Sequence, residues 1–147
     1  MEWARDGFTV SDDPARLDRG VIHRFLAESS YWARNIPSAT LDKALRNSLC
    51  FALLERERQI GFARVVSDRA TLAYLADVFV LPPHRGQGLA TWLVGTALTH
   101  PALTGLRRML LATRDQHKLY ARLGFAPLAR PERLMEINRP DVYQSGA

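Results

Sequence analysis

The sequence predicts a mixed α/β domain, a mostly antiparallel sheet flanked by helices, and three observations lead to it. Three apolar, β-branched or aromatic runs follow one another between residues 48 and 81, separated only by short charged breaks, the pattern of an antiparallel meander. A stretch of helical period then joins the last run to another apolar run at 108–112, which implies a parallel crossover in the same sheet. No repeat, low-complexity stretch or Gly/Ser/Pro-rich linker divides the chain, so residues 1–147 are expected to form one domain.

Taken in order, Phe8 to Asp12 reads as the first strand. Leu17, Val21, Ile22, Phe25 and Leu26 share one helical face, and Thr40 to Arg46 makes a second short helix behind the turn Asn35-Ile36-Pro37-Ser38. The meander strands are Ser48 to Leu54, Gln59 to Ser67 and Thr71 to Leu81, broken at Glu55-Arg56-Glu57-Arg58 and at Asp68-Arg69. After Pro82-Pro83, Leu89, Trp92, Leu93, Thr96 and Ala97 repeat at i, i+3, i+4, i+7 and i+8, an amphipathic helix ending near Pro101. Arg108 to Ala112 is a buried strand beside Thr71 to Leu81. Gln116 to Leu123 is a helix stopped by Gly124, and Phe125 to Ala129 with Leu134 to Ile137 are expected as closing strands.

Composition narrows the function classes. Apolar residues make up 47% of the 147, enough for one sizeable core. Cys50 is the single cysteine and can close no intramolecular disulfide, and the four histidines show no zinc-ligand spacing, so a reducing compartment and no metal are expected. Met1 to Val10 is too polar for a signal peptide, and charges interrupt every apolar run before membrane-spanning length; a cytoplasmic protein with no membrane partner is the expectation. A net charge of +5 and a sequence pI near 10.0 suit a polyanion, either nucleic acid or a phosphate-rich cofactor. Nucleic acid ranks last. The basic residues are scattered, the pairs Arg56/Arg58 and Arg107/Arg108 fall at turns or strand starts, and no helix carries a continuous basic face.

The most informative segment is Val80-Leu81-Pro82-Pro83-His84-Arg85-Gly86-Gln87-Gly88-Leu89-Ala90, which leads from a strand through a turn into a helix start. Free backbone N–H groups at a helix start carry partial positive charge, and glycines at 86 and 88 let a pyrophosphate approach the main chain without meeting a Cβ. A dinucleotide fingerprint fails because Thr91 stands where the third glycine is needed, and no Lys-Ser/Thr follows for a P-loop. The remaining alternative is a plain glycine-rich turn.

With Arg85, Gly88 and Ala90 in the fixed positions of a Gln/Arg-x-x-Gly-x-Gly/Ala loop, the chain resembles the GNAT superfamily of N-acetyltransferases. Asp77-Val78-Phe79-Val80-Leu81-Pro82 is similar to that family's fourth strand, and Leu119-Tyr120-Ala121-Arg122-Leu123-Gly124-Phe125 to its later Tyr-x-x-x-Gly-Phe motif; the likeness covers nearly the whole chain. The resemblance implies a fold in which the fourth and fifth strands splay apart, with acetyl-CoA as cosubstrate and no metal. It implies that the pantetheine arm bonds main-chain groups of Val78, Phe79 and Val80. It implies further that the amides of Arg85, Gly86, Gln87, Gly88, Leu89 and Ala90 hold the pyrophosphate, with Arg85 as charge support. A homodimer is allowed, since family members often pair through late strands.

Aminolysis of a thioester needs a neutral amine, a polarised carbonyl and a proton for the departing thiolate. Family resemblance gives Tyr120 the role of general acid; read from the residues alone, it is a ring free to meet the sulfur or simply to pack against the cofactor. Asp77 is the only charge between Thr71 and Leu81, so it needs a partner or a wet cleft. It serves either as base or amine-orienting group, or as a hydrogen-bond acceptor at a bulge; the Glu-Asp pair of some polyamine-acetylating relatives reads Ala76-Asp77 here. His84 and His117 are of a residue type suited to proton shuttling but read first as exposed or capping, and Asp115 reads as an N-cap. Tyr31-Trp32 falls in the region that shapes the acceptor pocket in GNAT proteins, and Glu28, Asp68 and Asp77 together would suit a cationic amine. Cys50 lies in an apolar run without an adjacent base and reads as an inert thiol.

The function expected is therefore transfer of an acetyl or related acyl group from acetyl-CoA to a primary amine by direct attack, on a small-molecule or peptide/protein acceptor. The alternative is a non-catalytic acyl-CoA-binding regulatory or interaction module.

Overall fold

In the computed structural model, which describes residues 1–144, six strands form one sheet in chain order: β1 (Glu2–Arg5), β2 (Phe8–Ser11), β3 (Leu49–Glu55), β4 (Arg58–Ser67), β5 (Leu72–Val80) and β6 (Arg108–Leu111). Neighbours are antiparallel except β5 and β6, which run parallel. The sheet is thus mixed and mostly antiparallel, as expected. β1 was not: it pairs with β2 across a two-residue loop, Asp6-Gly7, in which both residues take positive φ (52° and 87°), the geometry that matches the twist of a tight hairpin. Because of this strand, the family's fourth and fifth strands are β5 and β6.

Helices cover both faces. On one, α1 (Arg19–Arg24), the π-type turn Phe25–Ser29 and α2 (Ser38–Arg46) bury Ile22, Phe25, Leu26 and Leu41 against Cys50, Phe62 and Phe79. Arg19 ties the two helices together through Asp42 and Ser38. On the other face, α3 (Leu89–Leu98) buries Leu89, Leu93, Val94 and Ala97 against Phe51, Leu53, Ile60, Val65 and Leu75. β3 is buried along almost its whole length because its two sides supply both cores. Among the described residues no helix is long and apolar enough to cross a membrane.

Two departures from regular pairing shape the sheet centre. At Gly61 a Cβ would stand 2.9 Å from the carbonyl oxygen of Phe79 and 2.9 Å from Leu53 Cδ2, so only glycine lets β5 come this close. Further along, Phe62 faces Phe79 and Arg64 faces Ala76, so Asp77 and Val78 together oppose Ala63. This is a β-bulge, and Asp77 sits in it at a φ of 55°, a left-handed conformation that aspartate tolerates better than most residues.

The two closing strands do not form. Residues 125–130 and 134–138 carry no strand pairing, and α4 (His117–Arg122) is the last regular helix. Pro127 and Pro131 lack ladder donors, and Leu134, Met135 and Ile137 lie exposed (41%, 97% and 86%), with no buried face to anchor a strand.

Candidate active site

β5 and β6 are paired only from Leu72–Arg108 to Leu75–Leu111. Beyond Leu75, β5 runs on to Val80 with no strand on its β6 side among the described residues, while its other side stays bonded to β4. The two strands part where the bulge lies. On that side the main-chain groups of Ala76 to Val80 face no strand among the described residues, and of these the Val80 carbonyl is taken by a side chain, that of Arg85.

At the end of β5 the chain makes a short turn, Pro82–His84, and enters α3 through Arg85 to Gly88. Arg85 Nε donates to the Val80 carbonyl at 2.9 Å, and Gln87 Nε2 to the His84 carbonyl at 3.2 Å. Gly86 and Gly88 take φ of 83° and 74°, and no atom lies within 4 Å of the place a Cβ would occupy at either. Gly88 is the N-cap of α3 and offers no side chain to its first turn. The amides there remain available, and the two glycines keep their approach open.

A cavity of about 560 Å³ occupies the gap between the parted strands. Asp77 and Val78 line it from β5, Arg114 and Asp115 from the loop after β6, Tyr120 from α4, and Tyr31 and Trp32 from the turn after α1. Phe79 and Val80 are buried instead (4% and 6% exposed), and residues 85–90 lie outside this cavity. The side chain of Phe79 stacks on Phe25 with centroids 4.0 Å apart, which fixes the strand after the bulge.

Asp77 is fully engaged. Its Oδ1 accepts from Trp32 Nε1 at 2.8 Å and its Oδ2 from Arg64 Nε at 2.7 Å; Arg64 Nη1 in turn donates to Ser48 Oγ at 3.0 Å. The Asp77 side chain is only 7% exposed and that of Arg64 18%, so this is a paired, largely buried charge. Trp32 and Asp77 are 45 residues apart in sequence.

Tyr120 is positioned by the end of its own helix. Gly124, at φ 100°, donates its N–H to the Ala121 carbonyl at 3.1 Å, and Phe125 donates to the Tyr120 carbonyl at 3.1 Å. This is the left-handed helix stop that favours glycine, and its customary apolar contact is here the edge-to-face pair of Tyr120 and Phe125, centroids 5.9 Å apart. The spacing of the Tyr-x-x-x-Gly-Phe motif therefore has a mechanical reason. Burial, with a smaller contribution from Tyr31 nearby, pushes the Tyr120 phenol up to about 12, so it keeps its proton at neutral pH. Tyr120 also borders a second cavity of about 850 Å³ lined by Met109, Leu123, Phe125 and Leu128.

Other sequence candidates lie elsewhere. The Asp68 carboxylate accepts from the amides of Ala70, Thr71 and Leu72 and from the Thr71 hydroxyl, which closes the β4–β5 turn and holds its carboxyl well below the ordinary range. Neither Asp68 nor Glu28 borders the 560 Å³ cavity. His84 Nε2 lies 3.2 Å from Glu55 Oε1, and His117 opens α4 beside the larger cavity. Asp115 caps nothing; the Gln116 amide donates to Thr113 Oγ1. Cys50 is buried, its thiol pushed up to about 11 by that burial, which suits an inert side chain. Sequence reasoning missed Arg64 and Arg114. Arg64 was findable: it is the lone charge in the run Gln59 to Ser67, next to a strand whose lone charge is Asp77.

The sequence pattern of the acetyltransferase (GNAT) family matches residues 19–125. A Gibberella zeae protein bearing the name "Putative acetyltransferase FG08082" is 33% identical over 144 residues, spanning 83% of this chain and 80% of that one. The crystal structure of a GNAT-family protein from Xanthomonas campestris pv. campestris superposes with a TM-score of 0.91 at 49% identity, covering 95% of this chain and 99% of that one. AAC(6')-Iy, in complex with a bisubstrate analogue made of CoA and acetylneamine, shares the fold at a TM-score of 0.66 and 19% identity, covering 91% and 99%.

Proposed function

The chain belongs to the acetyltransferase (GNAT) family, and from that premise we propose that it moves an acetyl group from acetyl-CoA to a primary amine by direct attack. The observation that carries this reading is the parting of β5 and β6 at the Asp77 bulge, which sets an unpaired strand edge and the Tyr120 ring around one cavity.

Each residue then has a task. The amides of Gly86 to Ala90 hold the pyrophosphate of the cosubstrate at the start of α3, with Arg85 as nearby positive charge. Main-chain groups of Val78, Phe79 and Val80 bond the pantetheine arm and hold the thioester with its carbonyl polarised. The amine nitrogen bonds to the carbonyl carbon, the carbon–sulfur bond breaks, and the thiolate takes the proton that Tyr120 holds at its hydroxyl; the nitrogen loses a proton to solvent and the tyrosine recovers one. With both carboxylate oxygens of Asp77 committed, that residue orients the amine side of the cavity and does not accept the proton.

The acceptor is a small-molecule amine or an amine of a peptide or protein, and nucleic acid is not among the proposed partners. A homodimer is proposed as well, with the exposed run Leu134, Met135 and Ile137 facing a second copy; light scattering of the Met135→Asp/Ile137→Asp variant should report a monomer where the parent is a dimer. A cytoplasmic location is proposed from the single, inert thiol.

Titration calorimetry with acetyl-CoA is the primary test. Saturable binding is expected, weakened at least 100-fold in Gly88→Trp, which places a large side chain at a left-handed position on the approach to the helix start. Thiol release over an amine panel should follow. Absence of binding to the parent protein would remove the reading.

A further inference from the structure

Four charged side chains border the 560 Å³ cavity: Arg64, Asp77, Arg114 and Asp115. Two of them are spent on each other. Arg64 donates to Asp77 and Ser48, and Asp77 accepts from Arg64 and Trp32, so neither charge is left to hold a ligand. Arg114 differs. Its guanidinium carbon lies 3.9 Å from the centre of the Tyr31 ring, and its main-chain N–H donates to the Tyr31 hydroxyl at 3.0 Å. Stacking and hydrogen bond together hold the residue over the cavity from a chain segment 83 positions away. Its one ionic neighbour, Asp115, lies 3.9 Å off, with both side chains more than half exposed (65% and 57%). Among the described residues no acceptor takes a hydrogen bond from its guanidinium.

A guanidinium stacked on a ring loses little hydrogen-bonding capacity, because its N–H donors point outward in the plane. Held in this way it is pre-organised for two parallel bonds to a carboxylate, which an ammonium could not supply. Resting on the acetyl-transfer reading above, we propose that Arg114 binds a carboxylate of the acceptor, so that the acceptor is an amine carrying a carboxylate and not a polycation. The free carboxylate of an amino acid and the C-terminus of a short peptide share this chemistry.

Matched acids and amides separate the possibilities when rates are compared per neutral amine, since amidation removes the charge that Arg114 would read and also lowers the amine pKa. Glycine against glycinamide, β-alanine against β-alaninamide, and a tripeptide with free or amidated C-terminus serve as probes, with putrescine as the dication. Each is followed by thiol release and by calorimetry against the CoA-saturated enzyme. At least one acid should be preferred over its amide by about 10- to 100-fold in kcat/KM, the range of a charge-assisted hydrogen-bonded pair, mostly through KM. Which pair shows the preference identifies amino acid or peptide. In Arg114→Gln that ratio should collapse toward one, and Tyr31→Leu, which removes the platform without touching the charge, should lower it partway.

Amides or putrescine used as well as or better than every acid, no acid bound more tightly than its amide, or a preference that survives in Arg114→Gln would overturn the assignment. Failure of acetyl-CoA itself to bind would instead remove the transfer reading on which it rests.

Discussion

The two sides of the active site are built from different material. The proposed donor side, Val78 to Ala90, is one continuous segment that offers main chain: an unpaired strand edge, two left-handed glycines and an uncapped helix start. The proposed acceptor side is an assembly of side chains from residues 31, 32, 64, 77, 114 and 120, held by contacts between segments that are far apart in sequence. A site made of main chain tolerates most substitutions apart from those at glycine. One made of side chains is most sensitive where its partners are buried, here at Arg64 and Asp77, since removing either leaves the other largely buried and unpaired.

The largest expected effect tests whether the two sides are separable. Asp77→Ala leaves Arg64 largely buried without its counter-charge and puts alanine at a positive φ, and a loss of about 3 kcal/mol in unfolding free energy is expected by denaturant titration. Acetyl-CoA affinity should fall with it, because the same bulge opens the donor edge. Unchanged affinity would show the two sides to be independent. Asp77→Asn, which tolerates the backbone conformation and keeps an acceptor for Trp32, should retain more of both.

Next in size is Tyr120, the proposed proton donor, which borders the same cavity as Asp77. Tyr120→Phe should lower kcat by about 100-fold with little change in acetyl-CoA affinity, the usual scale for losing a positioned acid. The phenol offers a second reading. One tyrosine should titrate at about 12 in the folded enzyme and be missing from the variant. Above pH 10 the unfolded chain gives up that proton while the folded one keeps it, so this group erodes stability as pH rises from 10 toward 12 and does nothing near neutrality.

Gly124→Ala should cost about 1–2 kcal/mol by forcing a side chain into the left-handed region, and should reduce kcat by loosening the Tyr120 ring from Phe125. Smallest is Gln87→Ala, expected to change acetyl-CoA affinity by no more than about twofold, because that residue's contribution would come from its amide while its side chain makes one exposed bond. A tenfold loss there would mean that side chains matter on the donor side after all.

This division also explains what was legible in the sequence. Arg85-Gly86-Gln87-Gly88 and Tyr120 with Gly124-Phe125 are local, and local geometry leaves local marks: a left-handed position selects glycine, and a helix stop selects a partner five residues away. The meander, the crossover and both long helices were readable for the same reason. Asp6-Gly7 was an equally local mark, a two-residue hairpin loop between short alternating runs, and it escapes notice when the N-terminus is weighed only as a leader. The pairing of Trp32, Arg64 and Asp77, by contrast, is created by the packing of α1 on the sheet, and no short-range pattern records it. The closing strands show the opposite error. Phe125 to Ala129 and Leu134 to Ile137 have strand-like side chains but no neighbouring edge that uses them.

The bulge at Asp77 also fixes which side chains enter which core. Strand faces alternate with a period of two, so one extra residue reverses the facing of everything after it: Ala73 and Leu75 point to the α3 core, yet beyond the bulge it is Val80 that joins them while Phe79 goes to the opposite core with Phe25 and Phe62. Straightening the strand without removing a residue would shift every later side chain to the opposite face. It would exchange a phenyl ring and an isopropyl group between two filled cores, one overpacked and the other hollow. Parity therefore resists substitution: while the chain keeps its length between Leu75 and Phe79, the interior on both sides holds the bulge in place, and side chains around the cleft can change without straightening the strand.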